Sequence, residues 1–191
     1  MDAAMELNER VEQLERRLQH LTDRTEILDC IARNARGCDR FDEALLASAY
    51  HADGIDEHGG TLNHGPEYPA WANAAHGAMF QQNLHNITTH SCEIDGDVAH
   101  AESYAIGLFL DREGGSARII AGRYADRLER RDGEWKIALR RTTVDVLLKG
   151  DASDLFTPEF QEMGYVKGSR DKRDVAYQRP LSLESDQAER W

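Results

Sequence analysis

Hydrophobic and polar positions fall into two regimes along this chain. From Leu7 to Phe80 the apolar residues recur in steps of three and four, which predicts helices; from His85 to Val146 they largely alternate, which predicts strands. Leu7, Val11, Leu14, Leu18 and Leu21 form a heptad seam about two and a half heptads long. The seam is short for a free-standing coiled coil, so it predicts an amphipathic helix packed on its own domain or on a neighbouring subunit. Thr22 or Asp23 is then a cap for a second helix, with Glu26 as capping-box partner. Ile27, Cys30, Ile31 and Asn34 continue the inward stripe, and Gly37 is the expected C-terminal glycine. A short helix over Asp42–His51 follows, with Phe41, Leu45, Leu46 and Tyr50 inward. Next come a short strand over Gly54–His58 and a loop through Gly59-Gly60 and Asn63-His64-Gly65. Pro66 opens a third helix, with Tyr68, Trp71, Ala75 and Phe80 on its apolar side.

The strand region is punctuated by Asp95-Gly96 and Asp132-Gly133, both hairpin signals, and by a Gly114-Gly115 turn. Ala101, Ser103, Ala105, Gly107 and Phe109 share one face of a strand, and Glu102, Tyr104, Ile106 and Leu108 share the other. In the last long strand Lys136, Ala138, Arg140, Thr142, Val144 and Val146 share a face. Alternation alone does not say which face looks inward. Long antiparallel strands after a run of helices predict an α+β fold, with helices closing one mouth of a curved, cone-shaped sheet and a pocket inside it. After Lys149 the pattern stops. Gly150–Trp191 is polar, with Phe156, Phe160 and Tyr165 as isolated anchors, which predicts a wrapping tail whose last ten residues are mobile. The expected division is therefore a helical extension over 1–21, a domain over 22–149 and a C-terminal extension over 150–191.

Composition narrows the partners. A net charge of −12 repels nucleic-acid phosphates. No apolar run reaches the roughly 20 residues of a membrane span. The acidic N-terminus is unlike a secretory signal. Cys30, Cys38 and Cys92 lack metal-like spacing and read as reduced, mostly buried cysteines of a cytoplasmic protein. Eight histidines prompt a search for a metal site, but neither His58 with His64 nor His85 with His90 has ligand spacing, and the odd separation puts His85 and His90 on opposite faces of a strand. No phosphate-binding glycine loop and no serine elbow are present.

What remains is acid–base chemistry from Asp39, His85 and Arg140. An aspartate that orients a histidine makes a general base without any cofactor. Each residue also has a structural reading: Asp39 as a helix cap, His85 as a satisfied strand-end histidine, Arg140 as a surface cation.

The ordered motifs D-R-x-D-E-x-L from Asp39, D-E-H-G from Asp56, H-N-I-T from His85, E-I-D-G-D-x-A-x-A-E-S-Y from Glu93 and G-R-Y-x-D-R-x-E-R-R-D-G-x-W-K-I from Gly122 resemble the SnoaL-like branch of the nuclear-transport-factor-2-like superfamily. The likeness runs from about Thr25 to Leu147 and recurs at G-S-R-D-K-R-D-x-x-Y from Gly168. It implies a cystatin-like α+β barrel, and relatives that include scytalone dehydratase, lindane dehydrochlorinase and bile-acid 7α-dehydratase as well as non-catalytic binding modules. By resemblance, Asp39 and His85 are a catalytic dyad, and Arg140, five residues after Trp135, is an active-site arginine that holds developing negative charge. Asn34 stands where bile-acid dehydratases carry a tyrosine, so an acid for a leaving hydroxyl has to come from Tyr50, Tyr104 or protonated His85. The expected pocket adds Trp71, Phe80, Tyr104, Ile106 and Val144. The implied activity is a cofactor-independent, dehydratase-type elimination on a hydrophobic ring compound such as a hydroxysteroid. A binding or subunit-interaction module and a ketosteroid-type isomerase are the alternatives. The resemblance also implies a homo-oligomer, a dimer or trimer.

Overall fold

A computed structural model of the chain describes residues 3–183 and 188–191. Helix α1 (Ala3–Arg40) leads into a short α2 (Glu43–Ala47), a hairpin of β1 (Tyr50–His58) and β2 (Thr61–His64), and α3 (Tyr68–Met79). Five strands follow: β3 (Phe80–Asp95), β4 (Val98–Asp111), β5 (Ser116–Arg131), β6 (Glu134–Thr142) and β7 (Val146–Asp151). They form one mixed sheet in the order β2-β1-β6-β5-β4-β3, with β7 continuing along β5 beyond the end of β6. All pairings are antiparallel except β1 with β6. The sheet curls around α1 and α3 but does not close, so the expected α+β architecture is present as an open cone rather than a barrel.

Helix α1 is continuous where two helices were expected. Nothing between Ala3 and Arg36 breaks a helix, and Asp23 has a tertiary use: its carboxylate accepts from Trp135 Nε1 (2.9 Å), Arg130 (2.8 Å) and Gln19 (3.0 Å). Gly37 does not end the helix. A Cβ there would lie 2.7 Å from the backbone of Leu46, so the glycine is needed for close packing of α2. The left-handed residue after the helix is Phe41 (φ 49°), and Asp42 N–H returns to the Gly37 carbonyl at 3.0 Å. Asp42 itself caps α2 through Leu45 N–H at 3.3 Å. The predicted loop at 63–65 is largely strand, because Gly59 (φ 62°) turns β1 into β2 and Asn63 and His64 pair with Asp56 and Ile55.

The small face of β4 looks inward. Ala99, Ala101, Ser103, Ala105 and Phe109 are buried, whereas Tyr104 and Ile106 are 46% and 37% exposed on the outer face. Between Ile87 and His90, β3 carries one residue more than β4. This bulge reverses the parity of the strand. His85 and His90 therefore both face the interior, contrary to their odd spacing, and His90 Nδ1 meets Ser103 Oγ at 2.9 Å. The jog from β6 to β7 depends on Gly122, where a Cβ would lie 2.0 Å from the Thr143 carbonyl oxygen.

The C-terminal segment lies over the end of α1 and the start of β3. Residues 184–187, within the stretch expected to be mobile, fall outside the described residues. Past them, Arg190 bridges Val166, and Trp191 meets Phe156 and Phe160.

Candidate active site

Asp39 occupies the last turn of α1, where the helix dipole disfavours a negative charge. Four N–H contacts offset that cost. The His85 backbone N–H reaches both carboxylate oxygens, at 3.1 and 2.9 Å. Asn83 Nδ2 donates at 3.1 Å and His85 Nδ1 lies at 2.7 Å. A carboxylate can only accept, so Nδ1 carries the proton and Nε2 is left with a lone pair. Helix α1 and strand β3 are far apart in sequence, and the pair exists because Asn83 and His85 share the inward face of β3.

His85 forms one wall of an apolar cavity of about 310 Å³. Trp71, Phe80 and Val144, three of the expected lining residues, line it. So do His76 and Met79 of α3, Phe109 of β4 and Tyr124 of β5, which sequence reasoning missed. The signals were there: His76 and Met79 extend the helical spacing of Tyr68 and Ala72, and Phe109 ends the small face of β4. Gly107 pairs with His85 across the sheet, and a Cβ on it would collide with the Phe109 ring at 2.3 Å. The missing side chain lets Phe109 lie flat and present itself edge-on to His85, with ring centroids 5.4 Å apart.

Five expected site residues are placed elsewhere. Tyr104 and Ile106 point away from the cavity, because β4 turns its even-numbered positions outward. Arg140 is 1% exposed and does not line the cavity. Its Nε and Nη2 bind the two oxygens of Asp126 at 2.7 Å each, Nη1 binds Asn34 Oδ1 at 2.6 Å, and the guanidinium lies 3.9 Å from the Tyr124 ring centroid. Tyr50 is buried with this group, giving its proton to Asp56 at 2.7 Å, and Asn34 Nδ2 lies 3.4 Å from its hydroxyl. Asn34, Tyr50, Asp56, Asp126 and Arg140 are thus a hydrogen-bonded polar layer beneath the cavity floor, of which Tyr124 is the visible part; Asp56 Oδ1 alone in this layer has no hydrogen-bond partner among the described residues. A charged pair with both partners buried needs this degree of hydrogen bonding to be tolerated.

The C-terminal extension reaches the dyad from behind. Arg170 donates to the Phe80 carbonyl (2.7 Å) and to Asn83 Oδ1 (3.2 Å), and lies over the Phe41 ring at 4.3 Å. Asn83 in turn holds Asp39. Asp42 binds Lys172 and the Tyr177 hydroxyl, which fastens the segment to the same corner. Burial pushes the thiols of Cys30 and Cys38 up to about 11 and about 12, which keeps them protonated and unreactive. Among the described residues no group of three His, Cys, Asp or Glu is arranged to hold a metal ion, and no helix is long and apolar enough to cross a membrane.

His76 makes the site sensitive to acid. Burial, then the charges of His85, His58 and Arg170, push its imidazole down from 6.5 to about 3. The unfolded chain therefore binds a proton below pH 6.5 that the folded chain refuses until about pH 3. This group costs no stability above pH 6.5 and destabilises progressively below it. Urea midpoints are expected to fall between pH 7.5 and pH 5 in the native sequence and to fall less in His76→Phe. Equal drops in both proteins would show that His76 does not drive the loss.

The SnoaL-like domain family matches residues 19–141. The chain belongs to that family. Among solved structures, a hexachlorocyclohexane dehydrochlorinase (LinA type 2) superposes with a TM-score of 0.66 at 26% identity, covering 71% of this chain and 93% of that one. A type 3 LinA from Novosphingobium barchaimii gives 0.65 at 25% identity, covering 70% and 93%. A scytalone dehydratase-like protein from Novosphingobium aromaticivorans (TM-score 0.62, 17% identity, 68% and 88% covered) is similar in fold alone. No curated protein matches the sequence. The fold and its lyase neighbours define a SnoaL-like protein of the nuclear-transport-factor-2-like superfamily.

Proposed function

We propose that this protein is a cofactor-independent lyase that eliminates HX from a hydrophobic ring compound, with His85 as the base and Asp39 as its orienting partner. The observation that carries the proposal is the 2.7 Å contact between Asp39 and His85 Nδ1 at the wall of an apolar cavity. His85 Nε2 takes a proton from a ring carbon, the C–H electron pair becomes the new C=C bond, and the adjacent substituent leaves with its own bonding pair. Asp39 stabilises the imidazolium that forms.

Cavity volume and acid supply narrow the substrate. About 310 Å³ lies at the low end of ligand pockets, roughly 300–1,000 Å³. That favours one or two rings over the four rings of a hydroxysteroid. Hydroxide needs a proton to leave. Tyr50 and Asn34 lie below the floor and Tyr104 points outward. Burial raises the pKa of the Tyr68 and Tyr124 phenols, making them poorer acids. A leaving group that departs as a stable anion, such as the chloride lost by a dehydrochlorinase, suits the site better than water.

One observation favours a second proposal, a non-catalytic binding module: Arg140, the cation expected to hold developing charge, is sequestered by Asp126, and the two arginines that do line the cavity, Arg118 and Arg123, are paired with Asp111 and with Glu102 and Asp145. Incubation with hexachlorocyclohexane, monohydroxylated cyclohexanones and hydroxysteroids in buffered D₂O separates the possibilities. Halide release or water loss supports the lyase. Deuterium uptake without elimination points to an isomerase. Binding with neither exchange nor elimination replaces the lyase with the module.

Arg170 acts in this proposal as a positioning residue. Arg170→Ala leaves Asn83 Oδ1 without its donor and loosens Asp39. Turnover is expected to drop about tenfold, since small misplacements of a base are costly. KM should stay unchanged, because Arg170 does not line the cavity. A higher KM with unchanged turnover would remove Arg170 from this role.

A further inference from the structure

The N-terminal half of α1 stands clear of the domain. Leu7, Val11, Leu14, Leu18 and Leu21 are 44–66% exposed. Farther along the same helix Asp23, Ile27, Cys30, Ile31 and Asn34 are buried against the sheet. With 3.6 residues per turn, successive side chains rotate by about 100°. On that basis the two sets point in nearly opposite directions. The seam does not continue the inward stripe, as its spacing had suggested, and its own domain cannot cover it. Thr25 and Leu28, both exposed, extend it to three heptads.

We propose that this face pairs with the same face of a second copy as a parallel, in-register, two-stranded coiled coil over Leu7–Leu28. Leu7, Leu14, Leu21 and Leu28 take the d positions, and Val11, Leu18 and Thr25 the a positions. Aliphatic a positions with leucine throughout d suit two strands. The flanking charges select the orientation. The g positions are Arg10, Arg17 and Arg24, and the e positions are Asn8, Glu15, Thr22 and Asp29. In a parallel pair each g residue faces the e residue five positions on in the other chain. Arg10 then meets Glu15 of the partner subunit and Arg17 meets a neutral threonine, while Arg24 stays on its own domain, where Nη1 donates to the Cys92 carbonyl at 3.1 Å. An antiparallel pair would set g against g, arginine against arginine, which is repulsive.

The usual objection to so short a coil is the cost of starting each helix. Here Ile27 and Ile31 anchor the C-terminal half of α1 in the core, so the helix is already nucleated. The sheets would flank the helix pair on its two outer sides, since each lies opposite its own seam. An anionic membrane suits the face poorly, because Glu6, Glu9, Glu12 and Glu15 line the helix and the chain carries −12. The coil is independent of the activity proposed above.

Cross-linking of the full-length protein tests the arrangement. Under copper–phenanthroline oxidation, Leu14→Cys is expected to give a disulfide-linked dimer. Gln13→Cys, at an outward c position, and the native sequence, whose Cys30 and Cys38 are buried and whose half-buried Cys92 packs against the core, are expected to give none. No dimer from Leu14→Cys would overturn the proposal. So would a dimer formed only on mixing Leu14→Cys with Leu21→Cys, the antiparallel result. Sedimentation equilibrium adds a second arm. Leu14→Glu/Leu18→Glu is expected to halve the mass of the native assembly, and an unchanged mass or a threefold drop would also overturn it.

Discussion

Replacing His85 with alanine is expected to lower elimination by about 100-fold or more, the usual contribution of a positioned base. The expectation rests on a single nitrogen. Asp39 occupies Nδ1 at 2.7 Å, so Nε2 is the ring atom left to accept a proton. The fold should survive the change. His85 contributes its backbone N–H to Asp39 whatever its side chain, and two of the four contacts to that carboxylate come from this N–H. Asp39→Asn offers a complementary probe. The asparagine amide can donate toward Nδ1, which selects the wrong imidazole tautomer while keeping the shape. Turnover should fall in both variants while KM for the same ring compound changes little. Full activity in His85→Ala, with the fold verified by near-ultraviolet dichroism, would take the imidazole out of the reaction.

Loss of Arg140 is expected to be the most damaging single change to stability. Arg140→Met would strand Asp126 in a dry interior and remove the donor to Asn34 Oδ1. Breaking a buried ion pair on one side costs about 3–5 kcal/mol. In a chain of this size that lowers the melting temperature on the order of 10 °C. Arg140→Met/Asp126→Leu should recover part of the loss, because Asp126 is no longer stranded without its cation, although Asn34 Oδ1 still lacks its donor. The double variant also separates structure from chemistry. If it folds and turns over substrate, Arg140 only supports the floor beneath Tyr124. If it folds and is inactive, the charge acts on the reaction through that floor. A harmless Arg140→Met would contradict the buried pair itself.

Residue type made Asp39 and His85 candidates, and the resemblance named them as a pair. Asp39 and His85 are 46 positions apart, and no periodicity joins the end of a helix to the start of a strand. Arg140 shows the opposite failure. Its type and its distance from Trp135 suggested the active site, but Asp126, two strand positions after Tyr124, captures it. A strand pattern cannot reveal that partner, because the pairing depends on cross-strand register between β5 and β6. Tyr104 and Ile106 were misplaced for a simpler reason. Alternation defines two faces of β4 but not which one looks inward. The His85–His90 parity failed because a bulge leaves no mark in composition.

The sequence alone determined that helices precede long antiparallel strands, the turns at Asp95-Gly96, Gly114-Gly115 and Asp132-Gly133, the two faces of β4 and the seam of α1, because each depends on residues a few positions apart. Tertiary structure decided which face of each element is covered. It turned the seam away from the domain that its spacing seemed to join, drew Arg140 beneath a tyrosine, and brought the Gly168–Tyr177 segment behind the Asp39–His85 corner. Those outcomes follow from contacts between elements distant in the chain, where packing and the need to neutralise buried charge outweigh local pattern.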